Sequence, residues 1–391
     1  MNAESPSHPL RMRAVPSFVG GRSALRVVDL FAGCGGLTLG IAQAAAGNGL
    51  RLEIPLAVDF EPLAAEVYKT NFPFADRVET APVEDYFDGD LGTPHTLAEK
   101  RTATTTGTVD ILLGGPPCQG HSNLNNHTRR VDGKNALYLR MVRAAEVLKP
   151  RAILIENVPA VLNDRHDGEG VVERARTHLT ELGYVVADQV IELDKLGVAQ
   201  KRRRHILLAI HSDDATTPIE VFDALPQHPR RDLRWAIGDI LDADETNPID
   251  RAPQAQAANK ERMQYLLDND LYDLPNELRP TCHQGEHSYK SMYGRLRWDE
   301  PAQTITSGFG SIGQGRYMHP ERPRALTAHE AARIQGFPDY FDFSPCPTRG
   351  ALATMIGNAV PPALTAAVFG TYLAQTTSTV DEADHEDAAS G

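Results

Sequence analysis

One cysteine of this chain sits in the run Gly114-Gly115-Pro116-Pro117-Cys118-Gln119-Gly120-His121-Ser122, directly after the apolar run Val109-Asp110-Ile111-Leu112-Leu113. Glycine and proline at that density fix an unusual backbone path and present one side chain where a second molecule can reach it. Only the thiolate is a good nucleophile, so a nucleophilic Cys118 needs activation by a helix start or a nearby arginine. A later apolar run ends in Glu156-Asn157-Val158. Small and apolar residues before Glu156 favour partial burial and a raised pKa, the state in which a carboxyl donates to a ring nitrogen. A thiol and a carboxyl, each closing an expected strand, suggest a nucleophile and an acid facing one site. The run Gln200-Lys201-Arg202-Arg203-Arg204 precedes another apolar stretch, and strand alternation points Arg202 and Arg204 to one side. Each feature also has a plainer reading. Free cysteine is among the most buried residue types, a strand-end glutamate often makes a surface ion pair, and a basic run is often a solvated face.

A second chemistry-bearing segment is Asp29-Leu30-Phe31-Ala32-Gly33-Cys34-Gly35-Gly36-Leu37, read as strand, glycine turn and helix. Glycines there let backbone amides approach a nucleotide-like ligand closely. Asp59, closing the next expected strand, stands where an acid holds ribose hydroxyls, and Phe60 after it is suited to stack on a base.

These residues need elements to carry them. In the first half, short apolar runs at 26–31, 54–58, 111–113, 152–155, 184–190 and 206–210 alternate with helical patterns at 61–71 and 137–148. That alternation predicts an α/β fold with a mostly parallel sheet covered on both faces. Periodicity weakens over 211–294, which reads as a smaller irregular domain. Thr327 with Glu330 three residues on predicts a capped helix over 326–335, and a last apolar helix follows Pro361-Pro362. The acidic tail 374–391 and the polar, proline-bearing residues 1–24 read as disordered and flexible.

The chain has 391 residues, 41% of them hydrophobic, enough for two domains. No apolar run suggests a membrane span and no signal core is visible, so a soluble, cytoplasmic protein is expected. Cys34, Cys118, Cys282 and Cys346 are far apart, a reduced-compartment pattern. Cys282-His283 with His287 lacks the second ligand pair of a structural zinc site, so no metal is expected. The net charge is −13, yet positive clusters at Arg129-Arg130, 201–204 and Arg230-Arg231 with Arg234 suit a basic cleft for nucleic acid.

In this order the pieces resemble the DNA cytosine-5 methyltransferase family over most of residues 25–373. The resemblance rests on residues 29–40, the Pro-Cys loop, Glu156-Asn157-Val158, Gln200-x-Arg202-x-Arg204 and residues 295–306. It continues through Leu326-Thr327, Glu330-Ala331-Ala332-Arg333 and Gln335-Gly336-Phe337-Pro338-Asp339, and closes with Ile356-Gly357-Asn358-Ala359-Val360-Pro361-Pro362. It implies a Rossmann-like AdoMet-dependent methyltransferase sheet over 25–210, a target-recognition domain over 211–294, and a return segment over 295–373 that completes the catalytic domain. It implies S-adenosyl-L-methionine as cofactor and methyl transfer to C5 of a flipped-out cytosine. Cys118 would add at C6, Glu156 contact N3 and the exocyclic amine, and Arg202 and Arg204 support the base and the catalytic loop. Phe31, Ala32, Gly33, Gly35 and Leu37 would surround the methionine end, Asp59 the ribose and Phe60 the adenine. Pro116 and Leu137 would line the adenosine pocket, and Asn358 and Val360 close it. Gln119, Ser122, Asn125, Arg129 and Arg130 would grip the DNA.

Two departures stand out. His121 replaces the aromatic or apolar residue usual before the serine. The acid expected on the adenine amine aligns with Pro82 or Val83, beside Glu84 and Asp85. The expected partner is double-stranded DNA, bound by a monomer, in a restriction-modification or phage-defence setting. The rival readings are a tRNA methyltransferase of the same superfamily and a catalytically dead DNA-binding regulator; intact Cys118, Glu156 and both arginines oppose the latter.

Overall fold

The apolar runs of the first half form the centre of the molecule's sheet. The structure, a computed structural model, describes residues 8–117, 135–241, 246–284 and 291–389. In chain order the elements begin β1 (Ala24–Leu30), α1 (Gly36–Gly47), β2 (Arg51–Asp59), α2 (Pro62–Asn71), β3 (Val78–Thr80), α3 (Leu97–Thr106), β4 (Ile111–Gly114), α4 (Asn135–Leu148) and β5 (Ala152–Asn157). A short hairpin of β6 (Arg165–His166) and β7 (Glu169–Gly170) leads to α5 (Val171–Glu181), β8 (Tyr184–Glu192), β9 (Gln200–Lys201), β10 (Arg203–His211) and α6 (Pro218–Asp223). The remainder is α7 (Leu233–Ile237), α8 (Ala257–Asp268), β11 (Ala302–Gln303), α9 (Ala328–Ile334), α10 (Arg349–Asn358) and α11 (Ala363–Ala389).

The main sheet has seven strands in the order β3-β2-β1-β4-β5-β10-β8. All neighbours are parallel except β10, which runs antiparallel to both β5 and β8. The buried pattern of β4 and β5 is continuous because helices cover both faces of the parallel centre. Strand order reverses between β1 and β4, and ligands of open α/β sheets bind beyond the carboxyl ends of the strands at such a switch point. The glycine turn after β1 and the Gly-Pro-Pro turn after β4 both leave from those ends.

The chain divides into two units. The sheet unit comprises Pro16–Glu192, Arg203–Pro226 and Pro362–Gly391. The second unit comprises Met1–Val15, Leu193–Arg202 and Gln227–Pro361. This division differs from the expected boundaries. The irregular unit starts at 227 rather than 211, because 203–226 carries β10 and α6. Residues 295–361 belong to the irregular unit, where Tyr293, Ile312, Met318 and Ala325 share a core with Met263 and Leu266 of α8. Only the last part of the return segment joins the sheet unit: α11 lies on α1, with the Thr365 hydroxyl donating to the Leu37 carbonyl at 2.7 Å. A Cβ at Gly40 would collide with the Pro362 carbonyl and the Thr365 hydroxyl, so the glycine permits this close approach.

Both ends of the described chain are more ordered than their composition suggests. Leu10 and Phe18 are buried, so residues 8–24 are packed at two points where a flexible segment was expected. Helix α11 continues to Ala389 through the segment read as a disordered tail. Alanine and glutamate are good helix formers, and an existing helix extends at low cost. The capping box at Thr327 and Glu330 forms as the sequence predicts. Among the described residues one stretch, Arg349–Thr376, is long and apolar enough to cross a membrane (mean hydropathy 1.4), where the sequence reading expected none; 61% of that window is buried inside the protein.

Candidate active site

The turn between β1 and α1 shows how the glycines work. Phe31, Gly33 and Gly35 all have positive φ, at 56°, 54° and 91°. Phe31 is not a glycine, so the turn holds it in a costly left-handed conformation, as functional turns often do. A Cβ at Gly35 would meet the Phe72 ring at 2.5 Å, whereas one at Gly33 would meet nothing within 4 Å. Gly35 thus lets the helix pack, and Gly33 faces open space that a ligand can enter.

Asp59 closes β2 beside this turn. Its carboxylate accepts from the Gly33 amide at 2.8 Å and the Glu61 amide at 2.9 Å. Burial raises its pKa, and these two amides oppose that rise. Each oxygen keeps a lone pair for a ribose hydroxyl. Phe60 next to it is 61% exposed, an unusual state for a phenylalanine and a ready stacking face. Pro116 is buried, Leu137 half-buried, and both belong to the sheet unit. Beneath the turn lies Asp29, fully buried, with Oδ2 accepting from the Thr38 hydroxyl at 2.6 Å and Oδ1 lacking a hydrogen-bond partner. Burial lifts its pKa to about 7. The open glycine, the acid and the exposed ring fit an adenosyl group carrying a positive sulfonium.

At the carboxyl end of β5, Glu156 is 7% exposed and its Oε1 lies 2.6 Å from Nε of Arg204 in β10. The sequence reading anticipated partial burial or a surface ion pair; the structure combines burial with a counter-charge from Arg204. A Cβ on Gly115 would sit 3.1 Å from Glu156 Oε2, so the turn after β4 runs against this carboxyl. Asn157 fastens it: its amide donates to the Pro116 carbonyl at 3.2 Å, and its Oδ1 accepts from the Val158 amide at 2.8 Å. Asn157 is a functional residue that the sequence reading left without a role. Its signal was its place beside Glu156.

Arg202 does not share this arrangement. The strand is broken at Arg202, so the alternation argument fails there. Arg202 belongs to the second unit, is 2% exposed, and donates to the carbonyls of Ile305 at 3.0 Å and Ala359 at 3.1 Å. Gln200 and Gln335 join the same buried knot, bonded to each other at 2.6 Å, with Gln335 also donating to the Ile356 carbonyl at 2.6 Å. The knot holds the chain around Asn358 and Val360, both in the second unit. Arg202 is thereby a positioning residue for that turn.

The segment in which an acid for the adenine amine was expected offers a further carboxylate. Val83 is buried and Pro82 exposed, and neither carries an acid. Glu79, half-buried near the carboxyl end of β3, pairs in register with Val58 beside Asp59. Short β3 had no periodicity by which to find it. Cys118, Gln119, His121, Ser122, Asn125, Arg129 and Arg130 lie outside the described residues, as does His287.

The chain matches the family described as C-5 cytosine-specific DNA methylase over residues 25–373. It is 41% identical over 356 residues to the Type II methyltransferase M1.BsuMI of Bacillus subtilis (strain 168), covering 90% of this chain and 81% of that protein. It is 30% identical to the Type II methylase M.HgiDII of Herpetosiphon aurantiacus, covering 86% and 92%. Among solved structures the Entamoeba histolytica methyltransferase EhMeth aligns with a TM-score of 0.62 at 17% identity, covering 92% of this chain and 99% of that one. The S. pombe Dnmt2 methyltransferase aligns with a TM-score of 0.59 at 18% identity, covering 90% and 98%. At those identities the structural likeness concerns the fold alone.

Proposed function

This chain belongs to the C-5 cytosine-specific DNA methylase family, and we propose how its own residues carry out that DNA cytosine-5 methylation. Bound S-adenosyl-L-methionine supplies an electrophilic methyl group. Cytosine C5 is a poor nucleophile, so Cys118 adds as thiolate to C6 and leaves C5 electron-rich. Glu156 bonds N3 and the exocyclic amine and draws the charge that the addition places on the ring. Arg204 holds Glu156 and faces the same base. After methylation, transfer of the C5 proton to a water molecule acting as base and expulsion of the Cys118 thiolate restore the aromatic ring. The observation that carries this reading is the buried Glu156–Arg204 pair against the Gly115-Pro116 turn, from which the chain runs directly into Cys118.

Gly33, Asp59 and Phe60 hold the methyl donor, with Phe31, Ala32, Gly35, Leu37, Pro116 and Leu137 around it and Glu79 as the acid for the adenine amine. Asn358 and Val360 keep their proposed role toward the cofactor, and Gln119, Ser122, Asn125, Arg129 and Arg130 theirs toward DNA. The second unit carries target recognition. Its arginines stack on aromatic rings, Arg231 on Trp235, Arg234 on Trp298 and Arg297 on Tyr272, an arrangement that presents guanidinium groups to phosphates or base edges. The names of the relatives support a type II restriction-modification setting, and a DNA substrate an intracellular one. Duplex DNA containing 5-fluorocytosine tests the mechanism: with the methyl donor it traps a covalent adduct on the wild-type protein and none on Cys118→Ala. Absence of the wild-type adduct, or its formation on tRNA instead of DNA, overturns this reading.

A further inference from the structure

The family match begins at residue 25, yet residues ahead of it are built into the second unit. Residues Pro9–Arg11 form one turn of 3-10 helix. His8 stacks on Trp235 of α7, with ring centroids 4.5 Å apart, and its Nε2 lies 3.0 Å from the Trp235 carbonyl. Its Nδ1 accepts from the Leu10 amide at 3.3 Å, which assigns the Nε2–H tautomer as donor to Trp235. Burial and the neighbouring Arg11 lower the His8 pKa, in keeping with a neutral ring. Leu10 is 5% exposed, and its carbonyl accepts from the Asp339 amide at 2.9 Å. Arg11 Nε lies 3.1 Å from Asp239 just past α7.

These anchors converge on two acids that Arg333 of α9 also holds. Arg333 bonds Asp339 at 2.6 Å and lies 3.3 Å from Asp239. The arm therefore adds to the ties that Arg333 makes between the end of α7 and the end of α9. Trp235, the ring on which His8 stacks, is also the ring under Arg231, whose guanidinium lies 4.8 Å from its centroid. An indole packed against His8, in a residue whose backbone carbonyl also accepts from the His8 ring, is a held platform for that arginine. Freed from the arm, both would sample more rotamers, and ordering them on DNA would cost affinity.

We propose that residues 8–11 are a positioning clamp for target binding: they fix the Trp235–Arg231 pair so that Arg231 meets a DNA phosphate. This rests on reading the second unit as the recognition unit. The methyl-donor site, which lies on the sheet unit's glycine turn, is left untouched by the clamp.

The test is steady-state kinetics and salt-dependent DNA binding of the full chain. His8→Ala and Leu10→Asp are expected to raise the KM for DNA about tenfold, a loss of one well-held contact, with kcat and the Kd for S-adenosyl-L-methionine unchanged. Leu10→Met restores the wild-type KM. Arg231→Ala is expected to do the same and to lower the salt slope by about one ion. The deciding measurement is the double mutant: if the arm acts through Arg231, His8→Ala adds little to Arg231→Ala. Full additivity, an unchanged KM for DNA in both arm variants, or loss of methyl-donor affinity in parallel with DNA affinity overturns the clamp. If Arg231→Ala and Arg297→Ala both leave DNA binding intact, the recognition reading itself fails and the clamp falls with it. An effect of Arg297→Ala without any effect of the arm variants rejects the clamp alone. His8→Ala keeps Leu10 buried, so a folding failure of Leu10→Asp does not decide the matter.

Discussion

Two aspartates, a fully buried one in the sheet unit and a half-buried one in the second unit, meet opposite fates. Asp29 in β1 accepts from the Thr38 hydroxyl, and burial lifts its pKa to about 7. Asp339 beyond α9 is also subject to burial, but His329 and Arg333 outweigh it and pull its pKa down to about 2. The difference lies in the neighbours rather than the residue type. The sheet unit is assembled by apolar strands and leaves Asp29 with one unpartnered oxygen beneath the turn proposed to hold the methyl donor. The second unit, poor in regular structure, is assembled by charges that satisfy one another: Asp250, His329, Asp339, Arg333, Asp239 and Arg11 form one chain of alternating sign. On the proposed function, the sheet unit supplies the chemistry and the second unit the target binding.

The sharpest way to break this division is to remove the nucleophile. Cys118→Ala is expected to lower kcat by at least about 10³-fold while DNA binding persists, because residues acting as a unit fail together. A gel shift with unchanged affinity beside absent methyl transfer is the confirming pair of measurements. Glu156→Gln follows, with kcat lowered about 10²- to 10³-fold, the range for a lost proton donor or charge-stabilising group. A DNA affinity falling in parallel would move Glu156 to the binding side. In the second unit, Arg333→Met leaves Asp339 and Asp239 short of their counter-charge. It is expected to destabilise that unit by about 3 kcal/mol, read by chemical denaturation, with methyl-donor binding retained.

pH sharpens the same contrast. Burial alone would lower the pKa of His329, but its hydrogen bonds to Asp250 and Asp339 raise it from 6.5 to about 9. Its stabilising contribution is fully present below pH 6.5 and is lost as pH rises through about 9. For Asp29, raised from 3.8 to about 7, stability from the retained proton is lost as pH rises through about 7. Unfolding free energies measured against pH for Asp29→Asn should lose the lower window and keep the upper one; His329→Gln should do the reverse. The smallest effect is expected at Phe60→Ala, where losing one aromatic face weakens methyl-donor binding by about 1 kcal/mol, or several-fold in Kd, with DNA KM unaffected.

The sequence was most legible where a period or a fixed turn chemistry operated. Six of the seven sheet strands appeared as apolar runs, all but β3, and Thr327 with Glu330 announced α9, because apolar runs and helix caps are local. Gly33, Asp59 and Phe60 were readable for the same reason, being defined by their place at strand ends. The second unit was hardest to read because its order comes from pairs such as His8 with Trp235 and Arg11 with Asp239, separated by most of the chain.

Arg202 and Arg204 state the limit most clearly. By itself the sequence determined that the chain carries a DNA cytosine-5 methylation site, since Cys118, Glu156 and the glycine turn are specified by residue type and neighbours. Only the tertiary structure decided that Arg204 pairs with Glu156 while Arg202 fastens Ile305 and Ala359. A break of one residue between β9 and β10 separates their roles. Whether such a break occurs depends on the carbonyls waiting for Arg202 far along the chain, which no local pattern records.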